Sequence, residues 1–182
     1  MLTSAALRAG NQRSLLKDDN GATAVEFGMI AVPFLLFLVG ILGMGLYYLT
    51  LISLEYGVES AARKIRTGEA ERDGLTVGGF KGLICAAAVG IDCSKVTVIV
   101  QTAKTWSGIN PQACVTNGNQ TPSSGNSDTD ALSKYSGSAK QVVLVTACYR
   151  WKLADSFQFV KFSADGPTII QAATAFKNEP YN

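Results

Sequence analysis

Two groups of residues in this chain have types and spacings that carry chemistry. The first is the run Gly21-Ala22-Thr23-Ala24-Val25-Glu26-Phe27. A small residue stands at a boundary between polar and apolar sequence. Five positions beyond it is a lone carboxylate, and past that no residue from Phe27 to Leu54 is charged. An acid at the head of an apolar helix is costly: insertion scales give ~2.5–3.5 kcal/mol for an Asp at the bilayer centre, and less near the edge. Glu26 therefore calls for a partner. Cleavage after Gly21 would supply one, the new α-amino group on Ala22 of a neighbouring chain, and the pair would set axial register between stacked helices. The plainer alternative is an acid resting among lipid headgroups, and spacing alone does not separate the two.

The second group is the four cysteines, Cys85, Cys93, Cys114 and Cys148. None forms C-x-x-C, so zinc and thioredoxin-like chemistry are weakly supported. Four cysteines in a small C-terminal region fit disulfides in an oxidising compartment. They allow three pairings, and the sequence does not choose among them. The local pairing, Cys85 with Cys93 and Cys114 with Cys148, is the one favoured here. Cys85–Cys93 would close a short loop, and Cys114–Cys148 would clamp a long one.

Other chemistries find little support. The chain has no histidine, which removes the commonest general acid–base and a favoured metal ligand. No nucleophile–base pair or phosphate-binding loop is present. Gly40, Gly43 and Gly45 follow no strand and are not a dinucleotide fingerprint. The net charge of +2 is small, and the cations near Arg63, Lys64 and Arg66 alternate with Glu69 and Glu71. That reads as a solvated helix face rather than a nucleic-acid patch. No cofactor, metal, nucleic acid or small-molecule substrate is expected. Asn119-Gln120-Thr121 matches a glycosylation sequon by a pattern too short to carry weight.

These residues need elements to position them. The uncharged run is 28 residues long, and ~20 helical residues cross a hydrocarbon core. A single transmembrane helix is expected, from about Ala22 into the mid-sixties, with the span over about 27–52. Pro33 should loosen it locally. Past the span, Leu54, Val58, Ala61, Ala62 and Ile65 fall on one stripe, so the helix keeps an apolar face to pack. Thr67-Gly68 is a plausible stop.

A shorter helix is expected after the N-cap Thr76, with Phe80, Leu83, Ile84 and Ala87 inward, although Gly78, Gly79 and Gly82 weaken it. Strands are expected at 96–100, 142–151 and 168–176, the last announced by Gly166-Pro167. Thr102 to Lys140 is polar and without period, and reads as a long loop with room for a short strand. Asp155 to Phe162 is ambiguous. Trp151 is expected in the core or on a strand face, and Trp106 is open to either a core or a contact role. The sum is an α+β protein in which a long N-terminal transmembrane helix packs on a small antiparallel sheet, the arrangement that the resemblance described next would make pilin-like. It divides as residues 1–21, a polar leader; 22–66, the long helix; and 67–182, a periplasmic α+β domain. Arg8, Arg13 and Lys17 argue for a cytoplasmic N-terminus, the cysteines for a periplasmic C-terminal domain.

Taken together, Gly21–Phe27 and the Pro33-bearing run resemble the processing region of TadE-like minor pilins (pseudopilins) of tight-adherence, or Flp-type, pilus systems. Ala61-Ala62-Arg63-Lys64-Ile65-Arg66-Thr67-Gly68 is similar to the same family's post-membrane segment. So are Cys85, Asp92-Cys93-Ser94-Lys95, Tyr149-Arg150-Trp151 and the tail Thr174 to Pro180. The resemblance misses residues 1–20 and the stretch around 103–140. Cys114, Cys148 and the glycine-rich second helix lie outside the family pattern.

The resemblance implies a cut between Gly21 and Ala22 by a prepilin peptidase, with Glu26 and Phe27 taking part in processing and assembly. The implied partners are that peptidase, other pilin subunits, the Tad secretion machinery and the inner membrane. The implied role is assembly of pili for surface attachment, and because Flp major pilins are much shorter, a minor subunit fits better. A membrane-tethered periplasmic binding or accessory domain that is never cleaved is the second reading, and a membrane-anchored enzyme the third.

Overall fold

The computed structural model describes residues 20–116, 121–122, 125–153 and 168–180. The leader up to residue 19, most of the sequon, the Gly166-Pro167 turn and the ambiguous stretch 155–162 lie outside the described residues. The chain divides into two compact units, Met1–Gly43 and Met44–Asn182.

Helix α1 runs over Asn20–Arg66 without a break in assignment, with Pro33 inside it. It starts about two residues before the position expected from sequence, so Gly21 lies in its first turn. In the first unit its side chains past Glu26 are apolar around the whole circumference, and Phe27, Met29, Leu35 and Phe37 are all exposed. A helix that is hydrophobic all round belongs in a lipid or a large core. It is long and apolar enough to cross a membrane.

In the second unit the same helix is amphipathic. Leu54, Val58, Ala61 and Ile65 are buried, with Tyr47 and Leu51 partly buried ahead of them. Glu55, Glu59 and Arg63 are exposed. The helix stops at Thr67-Gly68: Thr67 and Gly68 donate their N–H groups to the carbonyls of Arg63 and Ile65 at 3.0 Å, and Gly68 takes φ 75°. That left-handed conformation suits glycine. A single turn, α2 (Glu69–Arg72), follows.

Helix α3 (Val77–Ala87) forms despite its three glycines. Thr76 caps it, its hydroxyl accepting from the Gly79 N–H at 3.0 Å. Val77, Phe80 and Ile84 are fully buried, while Leu83 and Ala87 are only partly so. α3 lies close against α1 at Gly57, where a Cβ would sit 2.6 Å from the Ile84 carbonyl oxygen and 3.0 Å from the Ala88 Cβ. Glycine is what lets the two backbones approach.

Strands β1 (Val96–Ala103), β4 (Val142–Arg150) and β5 (Ile169–Lys177) form an antiparallel sheet in the order β1-β4-β5. β1 registers on β4 from Val96↔Tyr149 to Ala103↔Val142, and β4 on β5 from Val142↔Lys177 to Arg150↔Ile169. β4 is central and buried on both faces from Val142 to Tyr149. This explains its continuous apolar run. Val143, Val145, Ala147 and Tyr149 meet α1 and α3 in the main core. Cys148 faces the other way and joins Cys114 and Ile99 in a second cluster, with Ile169 packed against it.

The segment expected to be a long loop is built onto the domain. β1 continues to Ala103, a 3-10 turn covers Trp106–Gly108, and β2 (Val115–Thr116) pairs with β3 (Thr121–Pro122). Asn126 caps the outer edge of β1, its N–H on the Val98 carbonyl at 3.0 Å and its Oδ1 accepting from the Val100 N–H at 2.6 Å. Val77 and Gly78 donate to the carbonyls of Asp130 and Asp128, and Leu132 donates to Leu75. The one-turn helix α4 (Ser133–Ser136) follows, with Leu132 fully buried. The described part of this segment is largely irregular with short strands, as expected, and what the sequence did not show is its anchoring, because these backbone partners are remote in sequence and leave no local period.

Candidate functional site

The two residue groups singled out above fall in different units. Gly21, Glu26 and Phe27 lie on the first turns of α1, all exposed, and the Gly21–Ala22 bond is inside the first turn. Phe27 is 73% exposed, as suits a side chain whose surroundings are lipid or another chain rather than this chain's own core.

The cysteines are in the second unit and are bonded as Cys85–Cys93 and Cys114–Cys148, with Cα separations of 5.7 and 5.6 Å. Cys85 is on the last turns of α3 and Cys93 opens the 3-10 turn before β1, so this bridge fixes the angle between helix and sheet. Cys148 is on the outer face of β4, and Cys114 lies ahead of β2. That second bridge pins the segment around Cys114 to the outer face of the sheet, beside Ile99.

Ion pairs brace the turns of the second unit. Lys64 Nζ is 2.8 Å from Glu69 Oε2 across the end of α1. The hydrogen bond from Lys64, then its charge, then the Thr67 hydroxyl hold the Glu69 carboxyl below the usual carboxylate range, and the Lys64 ammonium is raised in return. The Ser94 hydroxyl, donating at 2.7 Å, is the main cause of a lowered Asp92 carboxyl, and Lys152 adds to it. Asp130 is lowered first by Lys134 and then by the Tyr135 hydroxyl. Tyr135 is raised by that same bond.

These are structural carboxylates, each facing a donor that holds it charged. Among the described residues no group of three or more metal-ligating side chains gathers. Two shallow grooves open on the surface of the second unit. One, of about 400 Å³, lies between the end of α1 and β5, with Arg63, Arg66, Phe176 and Glu179 on its walls. Arg66 Nε reaches Glu179 Oε1 at 3.3 Å there, and the Glu179 N–H bonds the Arg66 carbonyl at 3.0 Å. The other, of about 280 Å³, is lined by Ser94, Lys95, Thr97, Cys148, Arg150 and Ile169. Neither brings together an acid, a base and a nucleophile.

Two contributors escaped the sequence reading. Tyr47 stacks edge-on against Trp151 at 5.6 Å between ring centroids, joining α1 to the end of β4. The period of the α1 stripe, carried back through Leu51, would have reached it. Trp151 is buried, as expected, whereas Trp106 is 59% exposed. Gly57 is the other contributor, visible in the sequence only as a glycine on an otherwise apolar stripe.

No curated protein and no solved structure was found to match the chain. A family model described as TadE-like protein matches residues 21–63. That stretch begins at Gly21, holds Glu26 and the whole uncharged run, and ends on the packed stripe of α1, and over it the chain is similar to TadE-like proteins.

Proposed function

We propose that this chain is a minor pilin, or pseudopilin, that takes part in assembling tight-adherence (Flp-type) pili. Residues 1–21 are a leader removed by a prepilin peptidase between Gly21 and Ala22. Residues 22–66 are the assembly helix, and 67–182 form the periplasmic domain. The N-terminus is cytoplasmic, and the mature protein is held in the inner membrane before it joins a fibre. The observation that carries this reading is the TadE-like match, which opens on Gly21 and runs through the apolar helix.

Physical chemistry supports the same reading. Glu26 is the one carboxylate of residues 20–54, and a freed Ala22 amine on a neighbour is its natural counter-charge. In a low-dielectric setting such a pair is worth having only if both charges are present, since either alone is left uncompensated. The assignment of the C-terminal domain to the periplasm rests on its two disulfides and on the basic residues of the leader.

The competing reading, an uncleaved tether for an accessory domain, is separated by mass. Intact mass and N-terminal sequencing of the protein purified from its native host should give a chain that starts at Ala22. A chain that keeps Met1 with the peptidase present and active would end the pilin reading and leave the tether.

A further inference from the structure

The two outer edges of the β1-β4-β5 sheet are treated differently. The edge of β1 is closed, because Asn126 takes both the Val98 carbonyl and the Val100 N–H. The edge of β5 is open, and the register says which of its backbone groups face outward. Val98 and Val100 point away from β4, so in the alternation of an antiparallel ladder it is Thr97, Ile99 and Gln101 that bond β4. The β4 residues left to bond β5 are Val143, Val145, Ala147 and Tyr149, opposite Phe176, Thr174, Ala172 and Ile170. Bonds just past each end keep the same phase. The Trp151 N–H donates to the Thr168 carbonyl and the Asn178 N–H to the Gln141 carbonyl, both at 2.9 Å. Gln171, Ala173 and Ala175 therefore turn their N–H and C=O groups outward. Among the described residues none of those groups finds a partner.

Proteins blunt an open edge with a charge, a proline, a bulge or a cover. From Ile169 to Phe176 there is no charged residue and no proline, and the pairing to β4 runs from Ile169 to Lys177 without a bulge. Such an edge is ready to take up a further strand, with main-chain bonds giving affinity and alternate side chains giving choice.

The surroundings describe that strand. Ala173 and Ala175 are small and exposed, which leaves room beside them for larger side chains at alternate positions. The groove between α1 and β5 adjoins the same edge through Thr174, Ala175 and Phe176. On its wall Arg66 is paired with Glu179, whereas Arg63 has no acid within ion-pair distance among the described residues, and neither has Lys177 at the end of β5. Two unmatched cations at one end of the edge call for acids there. Glu59, one turn before Arg63 on the same wall, asks for a neutral or basic side chain at the next groove-facing position. The β5 strand of a second copy has no acid to offer, so it is not the matching occupant.

We propose that β5 takes up an extended segment of another polypeptide as a new edge strand, antiparallel to it. Acidic side chains at one end of that segment meet Arg63 and Lys177, and large apolar side chains lie beside Ala173 and Ala175. The site belongs to the second unit alone and depends neither on cleavage nor on membrane insertion nor on pilus assembly.

The probe is a short synthetic peptide of alternating valine and threonine headed by two aspartates. It is added to the isotope-labelled full chain in detergent micelles, and amide exchange is read residue by residue by NMR. With saturating peptide, exchange at Gln171, Ala173 and Ala175 should slow by about tenfold or more, while Ile170, Ala172 and Thr174, already bonded to β4, should change by less than about twofold. Ala173→Pro removes an outward N–H and no bond to β4, and should abolish the slowing. Arg63→Glu should weaken binding of this peptide several-fold. No slowing at the three positions at millimolar peptide overturns the proposal, as does equal slowing of both sets, or slowing that survives Ala173→Pro. Binding unchanged by Arg63→Glu overturns the acidic head. Exchange at the three positions that is already slow without peptide and quickens on dilution would assign the edge to a second copy of this chain, and overturns the proposal too.

Discussion

The two disulfides close loops of different size, and the difference can be measured. Cys114–Cys148 spans a separation of 34 residues and Cys85–Cys93 a separation of 8. In the chain-entropy treatment the loss on removing a bridge grows with the logarithm of loop length, giving about 3.8 kcal/mol for the first and about 2.5 kcal/mol for the second at 25 °C. Burial acts in the same direction, because Cys114 and Cys148 are both buried whereas Cys85 and Cys93 are only partly so. The perturbation is alanine at both members of one bridge at a time, in the full chain in detergent. The assay is urea unfolding followed by far-UV circular dichroism and tryptophan fluorescence, whose coincidence checks two-state behaviour. With a urea slope of about 2 kcal/mol/M, midpoints should fall by about 1.9 M for the 114/148 pair and about 1.2 M for the 85/93 pair. Equal losses, or a larger loss for 85/93, would refute the reasoning. Such a result would mean that the segment around Cys114 is held mainly by its own packing, and that the angle between α3 and β1 is the stiffer requirement.

Glu26→Ala should leave the protein made and membrane-bound but reduce its pili several-fold, read by immunoblot of sheared filaments; undiminished pili would remove the register role of Glu26. Gly57→Val places a side chain where a Cβ already meets the Ile84 carbonyl at 2.6 Å, and should destabilise the domain by about 1–3 kcal/mol in a denaturant titration. An unchanged midpoint would mean α3 can move off α1 freely. The Glu69 carboxyl, lowered by its hydrogen bond from Lys64, should titrate below an ordinary glutamate in carboxyl-detected NMR. Since its folded value lies below its unfolded one, the pair's contribution is present at neutral pH and is lost as pH falls through the folded value. Lys64→Met should return the Glu69 midpoint to the ordinary range, and a midpoint unmoved by that change would show that Lys64 is not the cause.

The second unit is designed around one shared strip of helix. Past Glu26, α1 is uniformly apolar where its surroundings are external to the chain, and it becomes amphipathic where the sheet and α3 cover it. One element therefore serves as both anchor and core. A substitution at Val58 or Ile65 would damage the domain, and one at Phe37 or Leu42 would leave the core untouched.

Much of this architecture was readable from local pattern. The uncharged run could hardly be anything but a long helix, because 28 residues without a charge exceed what a small soluble core hides. The Leu54-Val58-Ala61-Ile65 stripe follows from a period of 3.6, the Thr76 cap from its residue type, and the strands around 96–100, 142–151 and 168–176 from runs of β-branched and apolar residues bounded by turn signals. Periodicity says that a face is buried and is silent about what lies against it.

Folding alone decided the rest. It matched Cys114 to Cys148 across the sheet, since their meeting depends on which face of β4 each approaches. It anchored the loop 102–140 through a hairpin, an edge cap and a buried Leu132, because its hydrogen bonds go to Val98, Val100 and Leu75, far away in the chain. It also set Tyr47 on Trp151 and Val89 beside Ser53. Contacts between residues dozens or more positions apart leave no mark on the composition of either segment, and only the closed fold can supply them.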